Sequence, residues 1–190
     1  MSKKHRCGWC EGDALYEAYH DTEWGVPLRD EDQLFEFLIL ETFQAGLSWI
    51  TVLRKRENFR KAFDRFDYKK IANYGDSKVQ ELLQDAGIIR NKLKVRATIS
   101  NAQAYLKVQE EFGSFSSYIW KFIDNTPIQN SWQHYTDAPA NTSLSDTISK
   151  DLKKRGFKFV GSTVVYAFMQ AVGMVNDHEV GCFRYTEVQE

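Results

Sequence analysis

Long apolar runs are missing from this chain of 190 residues, and no stretch approaches the roughly 20 apolar residues that a membrane-spanning helix needs. We therefore expect no membrane partner. The opening MSKKHRCGWC is basic but lacks the apolar core of a secretory signal, so we expect a cytoplasmic protein. The net charge is only −1, which excludes a uniformly basic protein but not one that gathers its basic residues on one face.

Cysteines and strand-forming patterns are also scarce. The chain has three cysteines, Cys7, Cys10 and Cys182, and this odd number makes a poor disulfide framework. In a reducing compartment these residues are better interpreted as thiols or metal ligands. Alternation of β-branched and polar residues is nearly absent, whereas 43% of the residues are hydrophobic, which is typical of a globular protein. These observations favour a folded, all-α chain.

Apolar residues at helical spacing organise the sequence into one unit that covers residues 1–190. Asp30 is a candidate N-cap of the first strong helix, and Gly46 interrupts it. The polar stretch 125–141, which contains two prolines, predicts a long connection. Helices are predicted over about 31–43, 48–66, 77–87, 91–107, 115–123, 145–155 and 162–172.

Two side chains that can bind a metal stand four residues apart near the C-terminus. They are His178 and Cys182, and this spacing places them on one face of a helical turn. The N-terminal part adds Cys7 and His20, which completes the two-cysteine, two-histidine set that Zn²⁺ prefers. Because four protein ligands leave no position for water, such a zinc would be structural.

A metal held this way would staple the terminal segments, about 1–27 and 174–190, to each other. The assignment stays open at this point, because Cys10 is another available thiol. A buried cysteine beside two ordinary histidines explains the same pattern equally well. The hydrolytic motif H-E-x-x-H is excluded, since residue 182 is a cysteine.

A basic stretch bounded by glycines lies between the last two predicted helices, and the three segments together span about 145–172. Backbone N–H groups at the start of the second helix, near Ser162, attract phosphate oxygens. This arrangement suits a grip on the DNA backbone without sequence specificity, although a solvated basic face on a tight helical turn is the alternative. The basic residues are Lys150, Lys153, Lys154, Arg155 and Lys158, against the single acidic Asp151.

Aromatic residues concentrate around one carboxylate in the first 50 positions. Glu41 stands in an apolar helix, where a carboxylate must be exposed, paired or functional. Aromatic walls with one hydrogen-bonding carboxylate suit a pocket for an extruded, cationic base. Alternatively, the aromatic residues belong to the core and Glu41 lies at a solvated edge. The aromatic residues near it in sequence are Tyr16, Tyr19, Trp24 and Trp49.

These three features occur together in a known family. The matching motifs are CGW at 7–9, YEAYHDTEWGVP at 16–27, QAGLSWITVL at 44–53, DAGIIR at 85–90, KKRGFKFVG at 153–161 and VNDHEVGC at 175–182. On these motifs the chain resembles the 3-methyladenine DNA glycosylase I family of the helix–hairpin–helix group. The resemblance covers nearly the whole chain and is weakest at about 107–142.

The resemblance implies a base-excision repair enzyme with a helix–hairpin–helix glycosylase fold and one structural Zn²⁺. Such an enzyme hydrolyses the N-glycosidic bond of 3-methyladenine in double-stranded DNA and leaves an abasic site without cutting the strand. The implied zinc ligands are Cys7, His20, His178 and Cys182, with Cys10 outside the set. The implied base pocket contains the catalytic Glu41 with Tyr16, Tyr19 and Trp49, supported by Trp9 and Trp24. The implied DNA contacts are a wedge at Gly46 and Leu47 and hairpin residues Gly156, Lys158, Gly161, Ser162 and Thr163.

The chain departs from many helix–hairpin–helix glycosylases after the second helix of the motif. Where those enzymes have a catalytic aspartate in a Val-Asp-x-His context, this sequence has Asn176, and Asp177 stands one position later. The departure suits a cationic leaving group that needs little help, and it argues against a lyase. Asp177 remains a candidate electrostatic contributor.

Two rival functions are a module that binds damaged DNA without cutting it and a zinc hydrolase with Glu179 as base. The binding module would not need Glu41 buried among aromatic residues. A metal with four protein ligands argues against the hydrolase. We expect a monomer without an obligate protein partner.

Overall fold

The computed structural model describes residues 4–190, and helices dominate it. The α-helices are α1 (Ala14–Thr22), α2 (Glu31–Gln44), α3 (Trp49–Ala62), α4 (Tyr68–Ile71), α5 (Asp76–Gln84), α6 (Lys92–Phe112), α7 (Phe115–Trp120), α8 (Ser143–Lys154), α9 (Ser162–Ala171) and α10 (Phe183–Glu187). Short 3₁₀ turns occupy Gly8–Cys10, Asp64–Phe66, Lys121–Ile123 and Tyr135–Asp137. Two strands of two residues, β1 (Ile128–Gln129) and β2 (Val175–Asn176), pair in parallel.

Side-chain caps explain several helix starts. The Asp30 carboxylate accepts the Gln33 N–H at 2.9 Å, as predicted for the N-cap of α2. Asn91 caps α6 in the same way. Thr142 and Ser145 form a reciprocal capping box at the start of α8. The helices predicted over 31–43, 145–155 and 162–172 are found close to their predicted bounds.

Other elements differ from the prediction. The helix expected over 48–66 ends at Ala62, because residues 64–66 all take positive φ angles of 50–58°. The helix expected over 91–107 continues to Phe112, where Gly113 ends it at a φ of 83°. Helices α1, α4 and α10 were not predicted, since they have only nine, four and five residues and none extends through enough turns to show a helical period.

Helix α2 lies at the centre of the hydrophobic core. Every residue from Leu34 to Phe43 is buried, and α3, α6, α7 and α9 pack around it. A helix that is apolar on all sides must be enclosed by other elements. The two charged residues in this buried run are Glu36, which pairs with arginines, and Glu41, which has no ion-pair partner among residues 4–190.

A tight hairpin joins α8 to α9 and is held from three sides. The Ser149 hydroxyl donates to the Val160 carbonyl at 2.6 Å, and the Ser145 and Ser162 hydroxyls lie 2.7 Å apart. From α6, the buried Asn101 amide bonds both the backbone N–H and the backbone C=O of Lys158. The hairpin backbone is therefore fixed even though it lies at the surface.

The terminal segments lie against each other. The Phe183 N–H donates to the His5 carbonyl at 3.0 Å, and β2 is paired with β1 from the long connection. The helical turn predicted from His178 to Cys182 is wrong. An irregular turn fills this stretch, and Cys182 is the N-cap residue of α10.

Among residues 4–190, no helix is both long and apolar enough to cross a bilayer.

Candidate functional site

A partly open cavity of about 220 Å³ lies where α1, α2, α3 and α9 converge. Helices α1, α2 and α9 each contribute residues three positions apart, which share one helical face. Its lining residues are Trp9, Tyr16, Tyr19, Trp24, Glu41, Gln44, Trp49, Tyr135, Ala138, Ala167, Gln170 and Asp177. The structure thus brings together all six residues that the sequence assigned to a base pocket.

The aromatic side chains form a continuous wall. Trp9 packs edge-on against Tyr16 and Trp24, with ring centroids 4.8 and 4.9 Å apart. The rings of Tyr19 and Trp49 lie 5.4 Å apart at an angle of 43°. Such a wall offers both π-faces and ring edges to a planar ligand.

Several polar atoms of the pocket residues are buried without a hydrogen-bond partner among residues 4–190. They are the indole N–H groups of Trp9 and Trp49, the Tyr19 hydroxyl and the Glu41 Oε2. A buried polar group that lacks a partner costs free energy, about 1–3 kcal/mol each. Four such atoms on residues that line one cavity are consistent with a site that receives a polar ligand.

Burial controls the protonation of Glu41. This side chain is 3% exposed, and desolvation alone raises its pKa to about 8. The alternative that Glu41 lies at a solvated edge is therefore excluded. A donor or positive charge brought beside Glu41 favours the carboxylate again, which makes Glu41 responsive to what occupies the cavity.

The two tyrosines remain neutral donors over the physiological pH range. Burial raises the pKa of Tyr16 to about 12, and it raises the pKa of Tyr19 well above the ordinary value. The negative charge of Glu41 acts in the same direction on both. Of these three side chains, Glu41 is the one whose charge can change near neutral pH.

Sequence reasoning missed the contribution of the long connection. Tyr135 and Ala138 line the cavity, and the buried Glu179 holds this segment by accepting the Tyr135 N–H at 3.0 Å. The same oxygen of Glu179 accepts the Gly8 N–H at 3.2 Å. Only the tertiary fold places this segment at the pocket, because the connection has no periodic pattern of its own.

Asp177, rather than Asn176, lines the cavity. Its Oδ1 accepts from the Asn130 amide and the Trp132 indole at 2.6 and 2.8 Å, and its Oδ2 accepts from the Tyr166 hydroxyl and the Gln170 amide at 2.6 and 2.9 Å. These four bonds tie the connection to α9 and satisfy the buried carboxylate. They also set Asp177 apart from Glu41, whose Oε2 is unpaired.

The four predicted metal ligands form one buried cluster. The ligand atoms of Cys7, His20, His178 and Cys182 lie within 4.8 Å of one another and could hold a metal ion. His178 Nδ1 lies 3.5 Å from the Cys7 sulfur and 3.8 Å from the Cys182 sulfur, and His20 Nε2 lies 3.4 Å from the Cys182 sulfur. Cys10 is buried nearby, but its thiol bonds the Cys7 carbonyl.

The residues assigned to DNA contact lie at two places on the surface. Gly46 and Leu47 form an exposed tip between α2 and α3. In the hairpin, Gly156, Lys158 and Thr163 are exposed, and Gly161 and Ser162 are half-buried. Arg155 differs from the neighbouring lysines, because its guanidinium is paired with Asp151 and Glu111.

Comparisons with known proteins identify the family. A family model described as methyladenine glycosylase matches residues 9–185. The chain is 53% identical to DNA-3-methyladenine glycosylase 1 of Escherichia coli strain K12. The alignment spans 180 residues, which are 95% of this chain and 96% of the relative. The chain belongs to the methyladenine glycosylase family. The family resemblance drawn from the sequence motifs is thereby confirmed.

Solved structures of this family share the fold. A crystal structure of 3-methyladenine DNA glycosylase I matches with a TM-score of 0.92 and 51% identity, over 94% of this chain and 98% of the other. A structure of 3-methyladenine DNA glycosylase I from Staphylococcus aureus, which describes recognition of 3-methyladenine, matches with a TM-score of 0.91 and 35% identity. The match covers 94% of this chain and 95% of the other chain. The mostly helical glycosylase fold is confirmed.

Proposed function

We propose that this chain excises 3-methyladenine from double-stranded DNA, with Glu41 as the residue that recognises the extruded base. As a member of the methyladenine glycosylase family it is a glycosidase that acts on N-glycosyl bonds in DNA repair. The observation that carries the assignment of Glu41 is its unpaired, desolvated carboxyl group in an aromatic cavity. A module that only binds damaged DNA has no need of such a group.

The chemistry begins with rotation of the damaged nucleotide out of the stack, which costs a few kcal/mol and less for a damaged base. Methylation at N3 leaves the adenine cationic. Trp49 stacks on the ring and stabilises the cation through its π-face. Glu41 accepts a hydrogen bond from the Watson–Crick edge, and Tyr16 and Tyr19 complete the pocket.

Bond cleavage needs little acid catalysis in this scheme. The positive charge already weakens the glycosidic bond, and the base leaves with the bonding electron pair as a neutral molecule. Water then bonds to the anomeric carbon and gives up a proton, so an abasic sugar remains. The Asp177 carboxylate also lines the cavity, and it would stabilise the positive charge that develops on the sugar as the glycosidic bond breaks. Among residues 4–190 no lysine lines the cavity to form a Schiff base, so we expect the strand to stay intact.

The DNA backbone is held at the hairpin between α8 and α9. Lys150, Lys153, Lys154 and Lys158 are exposed there, and no carboxylate among residues 4–190 pairs with them. Backbone N–H groups near Gly161, Ser162 and Thr163 add donors for phosphate oxygens. Contacts of this type carry no sequence information, as a repair enzyme requires.

Lys158→Ala is expected to weaken DNA binding about threefold to tenfold and to reduce the slope of log K against log salt by about 1, since one phosphate contact is lost. Fluorescence anisotropy with a labelled duplex at several salt concentrations measures both. Lys78→Ala is the matched control, because its ammonium is already paired with Glu81. Equal effects of the two substitutions would place the DNA away from the hairpin.

The cysteine–histidine cluster fits a structural Zn²⁺ in its ligand types and in its size. A tetrahedral zinc with bonds of about 2.0–2.3 Å to nitrogen and sulfur has ligand–ligand edges of about 3.3–3.8 Å. Three sulfur–nitrogen contacts of 3.4, 3.5 and 3.8 Å fall in this range, and the full set of four ligand atoms lies within 4.8 Å. The ring nitrogens that point away from the cluster are also partnered. His20 Nδ1 bonds Asp21 at 2.8 Å, and His178 Nε2 bonds the Trp24 carbonyl at 3.1 Å.

When bound, zinc would supply four coordination bonds and no chemical step. Cys7 and His20 belong to the N-terminal segment, and His178 and Cys182 belong to the C-terminal segment. The site therefore joins both ends of the chain beside the pocket, where Trp9, Tyr16 and Tyr19 share the same segment as two of the ligands.

Chromatography of the bases released from methylated duplex DNA tests the proposed function. Free 3-methyladenine should accumulate while the strands stay intact. The proposed partner is double-stranded DNA that contains 3-methyladenine, and we expect the enzyme to act on it as a monomer in the cytoplasm. Tight binding of the same DNA without release of any base would instead support the damage-recognition module.

A further inference from the structure

A buried lysine closes the end of α2. Lys94, on the first turn of α6, is 6% exposed, and its Nζ donates to the Phe43 carbonyl at 2.9 Å and the Ala45 carbonyl at 2.7 Å. Burial lowers the pKa of this ammonium, so its position opposes the preference of lysine for water. The last carbonyls of a helix attract a cation, which offsets part of that cost.

Lys94 and the backbone together fix three consecutive carbonyls. Between the two carbonyls that Lys94 binds, the Gln44 carbonyl accepts the Leu47 N–H at 2.7 Å. Gly46 takes a φ of 80°, and a Cβ there would meet no atom within 4 Å. Glycine is therefore needed at this position for its positive φ, and not to make room for a neighbouring atom of the protein. These three hydrogen bonds anchor the base of the loop.

The tip of the same loop is open to solvent. Gly46, Leu47 and Ser48 are exposed, and the Leu47 side chain is 42% exposed. The pocket residues Glu41 and Gln44 lie on the last turn of α2 before the loop, and Trp49 begins α3 after it. An apolar side chain is thus presented to solvent from a fixed backbone at the edge of the base cavity.

We propose that Lys94 is a positioning residue that holds the Gly46–Leu47 loop rigid, so that Leu47 can fill the gap left by an extruded base. This inference rests on the proposed function. Keeping a base out of the stack costs a few kcal/mol per step, and a loop that yields would let the base return. Lys94 therefore acts when the substrate is stacked in a duplex, and it contributes little once a base is already unstacked.

Single-turnover release of 3-methyladenine from duplex and from single-stranded DNA of the same sequence tests the inference. Lys94→Met keeps the length of the side chain and removes the two charge-assisted hydrogen bonds. We expect a loss of about 10-fold or more on the duplex, since bonds to a charged group are of that strength, and less than about 2-fold on the single strand. Binding of free 3-methyladenine, followed by tryptophan fluorescence, should stay within the same 2-fold range.

A double-mutant cycle with Leu47→Ala connects the lysine to the wedge. Leu47→Ala alone should show the same selective loss on the duplex. Lys94→Met should add less than about 2-fold in the Leu47→Ala background, because residues that act as one unit are not additive. Lys94→Gln, which is neutral but keeps one donor, is the second variant if Lys94→Met does not fold, and it should show the same selectivity.

Three results would overturn the inference. They are an equal loss on both DNAs for a folded Lys94 variant, no loss on the duplex, or full additivity with Leu47→Ala. Each of these leaves the proposed function standing. Failure of the proposed function itself looks different, because the unsubstituted protein would then release no base from either DNA.

Discussion

Glu41→Gln is expected to lower the rate of 3-methyladenine release from duplex DNA by about 10- to 100-fold, the range for losing a hydrogen bond to a charged group. The amide keeps the shape of the side chain and one acceptor oxygen, but it cannot carry the negative charge that faces the cationic base. Single-turnover kinetics with chromatography of the released base measures the effect. Unchanged release would exclude the role of Glu41.

The matched control for this substitution lies on the same helix. Glu36 is also a buried carboxylate of α2, but it accepts bonds from Arg56 at 2.6 Å and Arg60 at 2.9 Å. Glu36→Gln should lower the melting temperature, because it leaves two arginines with a weakened partner, and it should retain base release better than Glu41→Gln. The two variants thus separate a paired, structural carboxylate from an unpaired, functional one.

Glu41→Gln should also be at least as stable as the unsubstituted protein above neutral pH. The unfolded carboxyl releases its proton near pH 4.5, whereas the folded one keeps it until about pH 8. Ionisation of Glu41 in the unfolded chain therefore lowers the free energy of unfolding progressively as pH rises through this window. Glutamine does not ionise, so the difference in melting temperature should grow from pH 5 to pH 8. A functional site that costs stability in this way is a common trade-off.

Cys7→Ala is expected to cost the most stability. Loss of one ligand from a closed four-ligand site should lower the melting temperature by about 10 °C, if about 3 kcal/mol or more is lost in a chain of this size. Differential scanning calorimetry and elemental analysis of the purified protein measure stability and zinc content. The unsubstituted protein should contain close to one zinc per chain.

Cys10→Ala is the matched control, because Cys10 is equally buried and lies three residues away but outside the cluster. It should keep the zinc and lose far less stability than Cys7→Ala. The zinc proposal would be wrong if the protein held no metal and both substitutions had the same effect.

Much of the fold could be predicted from the sequence because α6, α8 and α9 carry apolar periods and α2 carries a long apolar run. Glu41 could be singled out because its carboxylate lies within an apolar stretch of α2. The short α1 gave no such signal, although it supplies Tyr16, Tyr19 and His20 to the site. Its position depends on tertiary contacts that no local pattern encodes.

The remaining pocket residues show the limit of local patterns. Tyr135 reaches the cavity only because Asp177 and Glu179 hold the connection that carries it. The spacing of His178 and Cys182 predicted their proximity correctly but for the wrong reason, since an irregular turn brings them together. Proximity of side chains distant in sequence is a property of the whole fold.

The most direct test of the account is a carbon-13 NMR titration of the Glu41 carboxyl, with Glu41→Gln used to assign its signal. The account predicts a pKa of about 8 in the free protein, because burial disfavours the charged form. It predicts a lower pKa when 3-methyladenine is bound, because a donor on the base favours the carboxylate. An ordinary pKa near 4.5 in the free protein, or no change on binding, would contradict the account.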